Sequence, residues 1–440
     1  MGDVFEAWFG KTKDSSSKPD LGVSELKATP FKRLKNGDIS AKERLVLNII
    51  NYEELDNENF ESSHLLQKNK ILELGYYEYN KEVPKSDWFF AKCVMYEMLK
   101  NTNDLEIIKK DWETIQSYVK QGKAEEINEG LTNYLAACTK GVNKHSMRTQ
   151  PNSSVMAKQR AFSLKGSFMT TLLRDYIFGD QKSDAIVKDS TELSKKSLEE
   201  IIETKFNRFI GKSVPEIINE LNIPIKESIR TGKYNVEITN KILGIKSRRG
   251  IEADEFKKAS IVPKTIQFNS KSINKESMSL PPFKFTELVK ESWTDKSGTP
   301  DASLNTYLSE TKFLFIVFKE DDNGTNYLKG IKFFRIPDAQ INGTIKDVWQ
   351  ETVNTLLSGV KLKMENGKVT NNFISSRDKK IIHIRPHAAK SSYIDSKDSN
   401  KLPTPAKWTN KPTEYNDNFM TTQSFWINSR YIKSVVKDLL

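Results

Sequence analysis

The chain has 440 residues, 37% of them hydrophobic and 29% charged, with a formal net charge of +11 and a sequence pI near 9.2. This predicts a globular protein of two or three domains, and the excess of Lys and Arg favours nucleic acid as a partner, although a lysine-rich surface is the alternative explanation. Two cysteines are too few for a disulfide framework or a thiolate zinc site, and four histidines make a multi-histidine zinc site improbable. The start of the chain lacks a basic region followed by an apolar run, and no apolar run is long enough to cross a membrane, which argues against secretion and a membrane span. We therefore expect a cytoplasmic protein in which carboxylates would hold any divalent cation, and such ligands favour magnesium.

The first predicted strand carries candidate catalytic residues. Side chains alternate along a strand, so the spacing from Val23 onward places Glu25 and Lys27 on one face, and Asp20 enters from the turn at Leu21-Gly22. Two carboxylates can share one cation, and a neighbouring ammonium group can orient water or neutralise developing negative charge. Phosphodiester hydrolysis requires such a set.

The Glu-x-Lys triplet is weak evidence by itself. It recurs at Glu203–Lys205, Glu255–Lys257 and Glu310–Lys312, and a solvated ion pair is the ordinary interpretation of such a triplet. The adjacent turn, Asp20 and the strand-like run that follows Arg44 distinguish the triplet at Glu25–Lys27.

Two parts of the chain repeat the same landmarks in the same order. Residues 27–31 recur as residues 264–268, about 237 positions later, and a helical pattern with Trp112 and Gly122 recurs at that spacing with Trp349 and Gly359. Core strands are predicted over 70–78 and 312–320, and an aromatic pattern at 162–168 returns at 425–431. The repeat predicts two α/β domains, 1–185 and 246–440.

A helical connector is predicted between these domains, over 186–245. It follows a polar run at 180–184 and has helical patterns at 198–210 and 214–221.

The second copy lacks the charges of the first. Val262 matches Glu25, although Lys264 keeps the lysine, and Glu310 matches Lys68 when the strands at 70 and 312 are aligned. A carboxylate metal ligand cannot be replaced by valine. We therefore expect the second domain to be catalytically silent.

The segments 2–10, 18–20, 25–27, 42–50 and 384–387 together resemble the MutH-type endonucleases, and among them the GATC-cutting type II restriction endonucleases of staphylococci, over essentially the whole chain. The resemblance implies two tandem PD-(D/E)xK restriction-endonuclease-like (MutH-like) domains. It also implies magnesium-dependent cleavage of double-stranded DNA at GATC. The second domain would bind DNA as an allosteric module, which implies two DNA sites, and a cognate methyltransferase would be a functional partner.

The resemblance assigns the catalytic residues by their motifs. Asp20 and Glu25 match the metal ligands, Lys27 the catalytic lysine, Glu6 a helix glutamate beside the centre, and Lys68 a further active-site lysine. The alternatives are that Glu6 caps the first turn of its helix and that Lys68 is a surface charge.

The resemblance also assigns DNA-binding residues. Lys140 and Gly141 match the loop that reads bases, and Arg385 and His387 stand at the counterpart in the second half. Lys140 could donate to guanine or, alternatively, bind a phosphate. Ser163 is a further DNA-contact candidate, but the family has a tyrosine there, so one base contact is in question.

Two other functions fit the same sequence. A DNA-binding protein without catalysis would explain the charge and the duplication, but it leaves Asp20, Glu25 and Lys27 without a role. A MutH-like mismatch-repair nickase would need one such domain rather than two.

Overall fold

The structure, a computed structural model, describes residues 1–11, 18–34, 37–80, 82–142, 145–179, 183–224, 231–247, 250–274, 276–296 and 298–440. The first three residues of the polar run, 180–182, lie outside this set.

The described chain contains both strands and helices along its whole length. The strands are β1 Glu25–Arg33, β2 Ile39–Ala41, β3 Leu45–Ile49, β4 Ile71–Glu78, β5 Phe90–Glu97, β6 Leu135–Thr139, β7 Met147–Gln150, β8 Ser153–Lys158, β9 Arg160–Leu164, β10 Ile261–Phe268, β11 Met278–Phe283, β12 Lys312–Glu320, β13 Asn326–Phe334, β14 Lys361–Glu365, β15 Lys368–Asn371, β16 Ile382–Pro386, β17 Ser399–Lys401, β18 Lys407–Thr409, β19 Phe419–Thr421 and β20 Gln423–Ile427. The α-helices are α1 Gly2–Trp8, α2 Tyr52–Leu55, α3 His64–Asn69, α4 Thr102–Lys120, α5 Gly166–Thr171, α6 Ser190–Lys195, α7 Leu198–Asn207, α8 Val214–Glu220, α9 Thr231–Leu243, α10 Asp254–Ala259, α11 Phe285–Leu288, α12 Ser303–Glu310, α13 Asp338–Gln340, α14 Lys346–Ser358 and α15 Ser429–Val435.

The chain forms two compact units. The first comprises Met1–Thr265, Lys296–Gly298 and Glu310–Ile316, and the second comprises Ile266–Asp295, Thr299–Ser309 and Val317–Leu440. The strand predicted from Val23 onward begins at Glu25. The predicted strands at 70–78 and 312–320 and the predicted helices at 198–210 and 214–221 are present, with small differences at their ends. The predicted domain bounds stay predictions, as does the role of 186–245 as a connector.

Two sheets organise the first half of the chain. One has the order β2-β1-β4-β5, and within it β1 and β4 run parallel, with Glu25 opposite Leu72 and Lys27 opposite Leu74. The other has the order β3-β9-β6, with antiparallel neighbours. Leu72 and Leu74 are fully buried, as expected for a strand in the interior of a sheet.

The second half repeats these strand neighbours. Its sheets have the orders β10-β12-β13 and β11-β20-β16. If β10, β12 and β13 are matched with β1, β4 and β5, and β11, β20 and β16 with β3, β9 and β6, every neighbour relation is the same apart from the extra edge strand β2.

The ends of α4 and α14 repeat a finer detail. Gly122 follows α4 and Gly359 follows α14, and both have positive φ, 68° and 85°. A Cβ atom at these positions would lie 2.6 Å from the carbonyl oxygen of Asn152 and 2.8 Å from that of Pro405, respectively. Glycine is required at both places, both for its conformation and for the close approach of another backbone segment.

Both helices also bury a tryptophan, Trp112 and Trp349, on their apolar face, as the sequence pattern predicts. In the described part of the chain, no helix has the length and apolar character needed to cross a membrane.

Candidate active site

The candidate catalytic residues meet at the beginning of β1. The backbone N–H of Leu26 donates to Asp20 Oδ2 at 3.0 Å, and the backbone N–H of Asp20 donates to Glu25 Oε2 at 3.3 Å. These reciprocal hydrogen bonds fold the turn onto the strand, so both carboxylates lie at one end of β1. The predicted proximity of Asp20 and Glu25 is therefore present.

Two lysines lie beside Glu25. Glu25 is 3% exposed, and its Oε1 is 2.8 Å from the Nζ of Lys27 and 3.5 Å from the Nζ of Lys68. Lys68 comes from α3, whose first turn is capped by Ser63, because the Ser63 hydroxyl accepts a hydrogen bond from the N–H of Leu66 at 3.2 Å. A solvated ion pair does not describe this cluster, because the carboxylate is buried.

The cluster lies where the two sheets of the first half approach each other. Lys27 Nζ is 3.5 Å from the carbonyl oxygen of Leu47 on β3, and the Asn69 side chain at the end of α3 donates to Asn48 Oδ1 at 3.2 Å. The position of Lys68 thus depends on α3 being fixed against β3.

Glu6 lies on α1, which packs against β1. The Phe5 ring rests on Gly75 of β4, where an added Cβ would come within 2.7 Å of Phe5 Cε2. The N-cap residue of α1 is Met1, which makes no side-chain cap hydrogen bond, and both interpretations of Glu6 stay predictions. In the described structure the Glu6 carboxylate is half-buried and is not hydrogen-bonded to Asp20, Glu25 or the two lysines.

The donor atoms suit a hard, hydrated cation. Asp20 and Glu25 supply two carboxylates, and no further Asp, Glu, His or Cys of the described residues completes a group of three. Magnesium commonly binds through one or two carboxylates and keeps several water ligands. The two carboxylates therefore fit a hydrated magnesium ion, whereas zinc usually takes three or four protein ligands, a number that the described residues do not bring together at this site.

The predicted base-reading loop follows β6. Lys140 is exposed, and its backbone N–H donates to the carbonyl oxygen of Gln159 at 2.8 Å, while Gly141 is half-buried. Ser163 lies on β9 with no exposed surface, and its hydroxyl donates to the carbonyl oxygen of Ala136 at 3.4 Å. Ser163 therefore presents no group to solvent, whereas Lys140 does.

A buried carboxylate fixes the start of β6. Asp111 accepts hydrogen bonds from the backbone N–H groups of Asn133, Tyr134 and Leu135 at 2.7, 2.6 and 2.9 Å. Burial raises the pKa of Asp111 to about 6, although these donors act in the opposite direction. Asp111 was not identified from the sequence, because its partners are backbone groups more than 20 positions away.

Arg44 joins the segment before β6 to Glu310, the residue that matches Lys68 in the second copy. Its guanidinium group pairs with Glu129, before β6, and with Glu310 of α12 at 2.8 Å. Burial raises the pKa of Glu310, and Arg44 opposes that effect. Glu310, which matches the active-site lysine Lys68 in the sequence, thus pairs with Arg44 within the first compact unit. The sequence analysis gave Arg44 and Glu129 no role. The position of Arg44 within segment 42–50, which resembles the family, was the one sign that it could be important.

The two residues of the second half that match Glu25 and Lys27 include no carboxylate. Val262 and Lys264 lie on β10, and burial lowers the pKa of Lys264. Arg385 and His387 are both exposed, at the end of β16 and just after it.

Comparisons with known proteins are consistent with this geometry. Residues 9–111 match the family model described as DNA mismatch repair enzyme MutH. The chain is also 49% identical over 456 aligned residues to the protein described as type II restriction enzyme Sau3AI from Staphylococcus aureus, an alignment that covers 100% of this chain and 92% of that relative. The residues of the active cluster from Asp20 to Lys68 all lie within the family match.

Proposed function

From the membership of this chain in the MutH-type endonucleases, we propose that it cleaves double-stranded DNA at GATC with magnesium. Its full-length similarity to a type II restriction enzyme supports a restriction endonuclease. Cleavage takes place at the cluster of Asp20, Glu25, Lys27 and Lys68, with Glu6 on the adjacent helix. The second half acts as an allosteric DNA-binding module.

One observation carries the proposal. A buried carboxylate, Glu25, has two ammonium groups on one oxygen and the Asp20 turn on the other. Burial of a charged cluster is costly unless each charge is compensated, and such clusters are concentrated at functional sites. The cluster unites residues from a turn, a strand and a helix, which a surface ion pair would not need.

Asp20 and Glu25 would hold the magnesium ion. When bound, the cation stabilises negative charge on the phosphate and lowers the pKa of bound water. The ammonium groups of Lys27 and Lys68 neutralise charge that develops at the reacting phosphate, and either can orient the attacking water. The positions of both lysines beside Glu25 support this assignment.

The DNA-reading loop of the first half is proposed at Lys140 and Gly141. Lys140 is exposed and follows a strand whose start is fixed by Asp111, so its ammonium group can reach the edge of a base from a rigid support. Lysine donates to O6 and N7 of guanine in the major groove. Ser163 does not enter this proposal, because it is fully buried.

The second half is proposed to bind DNA without cutting it. The repeated strand neighbours support a common fold, and Val262 and Glu310 remove the carboxylate and the lysine that hydrolysis requires. Arg385 and His387 are exposed at the position that matches the loop at Lys140, which supports a DNA contact there.

Cleavage of plasmid DNA tests this function. The protein is incubated with supercoiled plasmid that contains GATC, with magnesium or with a chelator, beside a plasmid without GATC. We expect linear DNA only from the GATC plasmid and only with magnesium. Nicked circles as the final product would favour a nickase, and binding without any cleavage would favour a DNA-binding protein.

A further inference from the structure

Five side chains of the second half share one face of the β11-β20-β16 sheet. His383 lies opposite Trp426 and Arg385 opposite Ser424 in the antiparallel pair of β16 and β20, so the four side chains project from the same face. His387 follows two positions after Arg385, and its backbone N–H still bonds the neighbouring strand, at Thr422 O. The face thus combines an aromatic ring, a guanidinium group, an imidazole and a hydroxyl.

Trp426 and Ser424 contact the two exposed DNA-binding candidates, Arg385 and His387. The guanidinium carbon of Arg385 lies 4.8 Å from the centre of the Trp426 ring, a cation–π distance. The His387 ring is 6.0 Å from the same indole, and its Nδ1 is 3.2 Å from Ser424 Oγ. No carboxylate of the described residues forms a salt bridge with Arg385, so its positive charge and its N–H groups are available to a ligand.

A stacked arginine is well suited to read a base. The guanidinium group carries its donors in a rigid fork that matches O6 and N7 of guanine, and stacking on an aromatic ring fixes the plane of that fork before DNA arrives. A phosphate contact has weaker requirements, because a phosphate accepts hydrogen bonds from many directions.

The first half gives an internal contrast. In the same register, Ala136 lies opposite Ser163 and Cys138 opposite Ala161, so the matching face carries four small side chains. All four are buried. The ring and the guanidinium group therefore belong to the second half and are not a requirement of the shared strand arrangement.

We propose that Trp426 is a positioning residue of a base-reading site in the second half, where it holds Arg385 in the plane of a guanine edge while Ser424 holds His387 beside it. This inference rests on the proposed function of the second half as a DNA-binding module. It adds the class of contact, a guanine in duplex DNA, and the residues that orient the reader.

The test measures stimulation of the full chain by short duplexes. A plasmid with a single GATC site is cleaved in magnesium while a duplex is added in trans, and the duplex concentration that gives half-maximal stimulation is recorded. One duplex contains GATC, and in the other both G·C pairs are replaced, so that the site is AATT. The ratio of the two concentrations reports discrimination of guanine.

Trp426→Leu should raise the half-maximal concentration of the GATC duplex about tenfold and leave that of the AATT duplex nearly unchanged, because the guanidinium group keeps its charge and loses its orientation. Arg385→Lys should do the same. Trp426→Tyr keeps an aromatic face and should stay within about threefold of the wild type. The matched control is Lys390→Ala, an exposed lysine three positions after His387, which should shift both duplexes equally.

The outcomes separate the inference from the proposed function. If wild-type protein responds to neither duplex, the proposed function of the second half fails, and the inference fails with it. If the wild type responds but Trp426→Leu and Arg385→Lys shift both duplexes equally, Arg385 binds phosphate and the inference is overturned. Thermal unfolding measures whether Trp426→Leu is folded. If it is not, Arg385→Lys and Trp426→Tyr decide whether Arg385 reads guanine or binds phosphate.

Discussion

The strand that carries the catalytic cluster and its counterpart in the second half share their neighbours in the sheet but differ in charge. β1 presents Glu25 and Lys27, and β10 presents Val262 and Lys264. Because Glu25 pairs with two half-buried ammonium groups, its replacement by valine would remove the shared carboxylate from both ion pairs. The second copy also lacks the second lysine of the cluster, because Glu310 of α12 stands where the first copy has Lys68 of α3.

The matching faces of the β3-β9-β6 and β11-β20-β16 sheets differ in the opposite sense. The first half has small, buried side chains between β6 and β9, and the second half has Arg385 stacked on Trp426 between β16 and β20. The comparison teaches that one strand arrangement can differ at two independent places: in the charges at the start of β1, where we propose hydrolysis, and in the large polar and aromatic groups on β16 and β20, where we propose recognition.

The largest effect is expected when single charged groups are removed from the cluster of the first half. Asp20→Ala, Glu25→Ala and Lys27→Ala should each lower the cleavage rate at least about a thousandfold, because each removes a cation ligand or a group beside the reacting phosphate. Binding of GATC duplex in a chelator should be retained. Full-rate cutting by Glu25→Ala would show that the cluster is structural.

The reverse change should not create a second catalytic centre. Glu310→Lys restores the lysine of the first copy, but it places a cation beside Arg44, which then loses a partner. We expect a loss of unfolding free energy of about 3 kcal/mol in urea titrations, since the pair is mostly buried. Glu310→Gln is the control and should lose less. A variant as stable as the wild type would mean that the ion pair with Arg44 contributes nothing.

A smaller effect is expected at the reading loop of the first half. Lys140→Ala should reduce discrimination at the guanine of the site by about 1–3 kcal/mol, the range for a specific base contact. The measurement compares kcat/KM on GATC and on a duplex with the guanine replaced. Equal weakening on every sequence would identify Lys140 as a phosphate contact.

The smallest effect concerns pH. Burial, together with Arg385, lowers the pKa of His383 to about 4, so the unfolded chain takes up a proton at His383 before the folded chain does. Stability from this residue is therefore present above pH 6.5 and is lost as the pH falls toward 4, with a slope of at most about 1.4 kcal/mol per pH unit. His383→Ala, which introduces the residue found at Ala136, should remove that slope from urea unfolding measured between pH 4.5 and 7. An unchanged slope would contradict the assignment.

Local patterns predicted much of the fold and of the cluster. Alternation put Glu25 and Lys27 on one face, and glycine with tryptophan marked the ends of α4 and α14. Contacts between distant segments could not be predicted: Arg44 with Glu310, Asp111 with the backbone before β6, and Arg385 with Trp426 depend on strand register and helix packing. Ser163 illustrates the limit, because its burial follows from its neighbours in the sheet rather than from its own segment.

The proposal that the first half cuts DNA and the second half binds it as an allosteric module is tested most directly by single-turnover cleavage. Two plasmids are compared, one with a single GATC site and one with two. If DNA bound by the second half favours the cutting state of the first, the two sites share a coupling free energy, typically about 1–3 kcal/mol. The two-site plasmid should then be cut several-fold faster, a short GATC duplex in trans should rescue the single-site plasmid, and Arg385→Ala should remove the difference. Equal rates on both plasmids, with no response to the duplex, would contradict the account and leave the second half with a structural role.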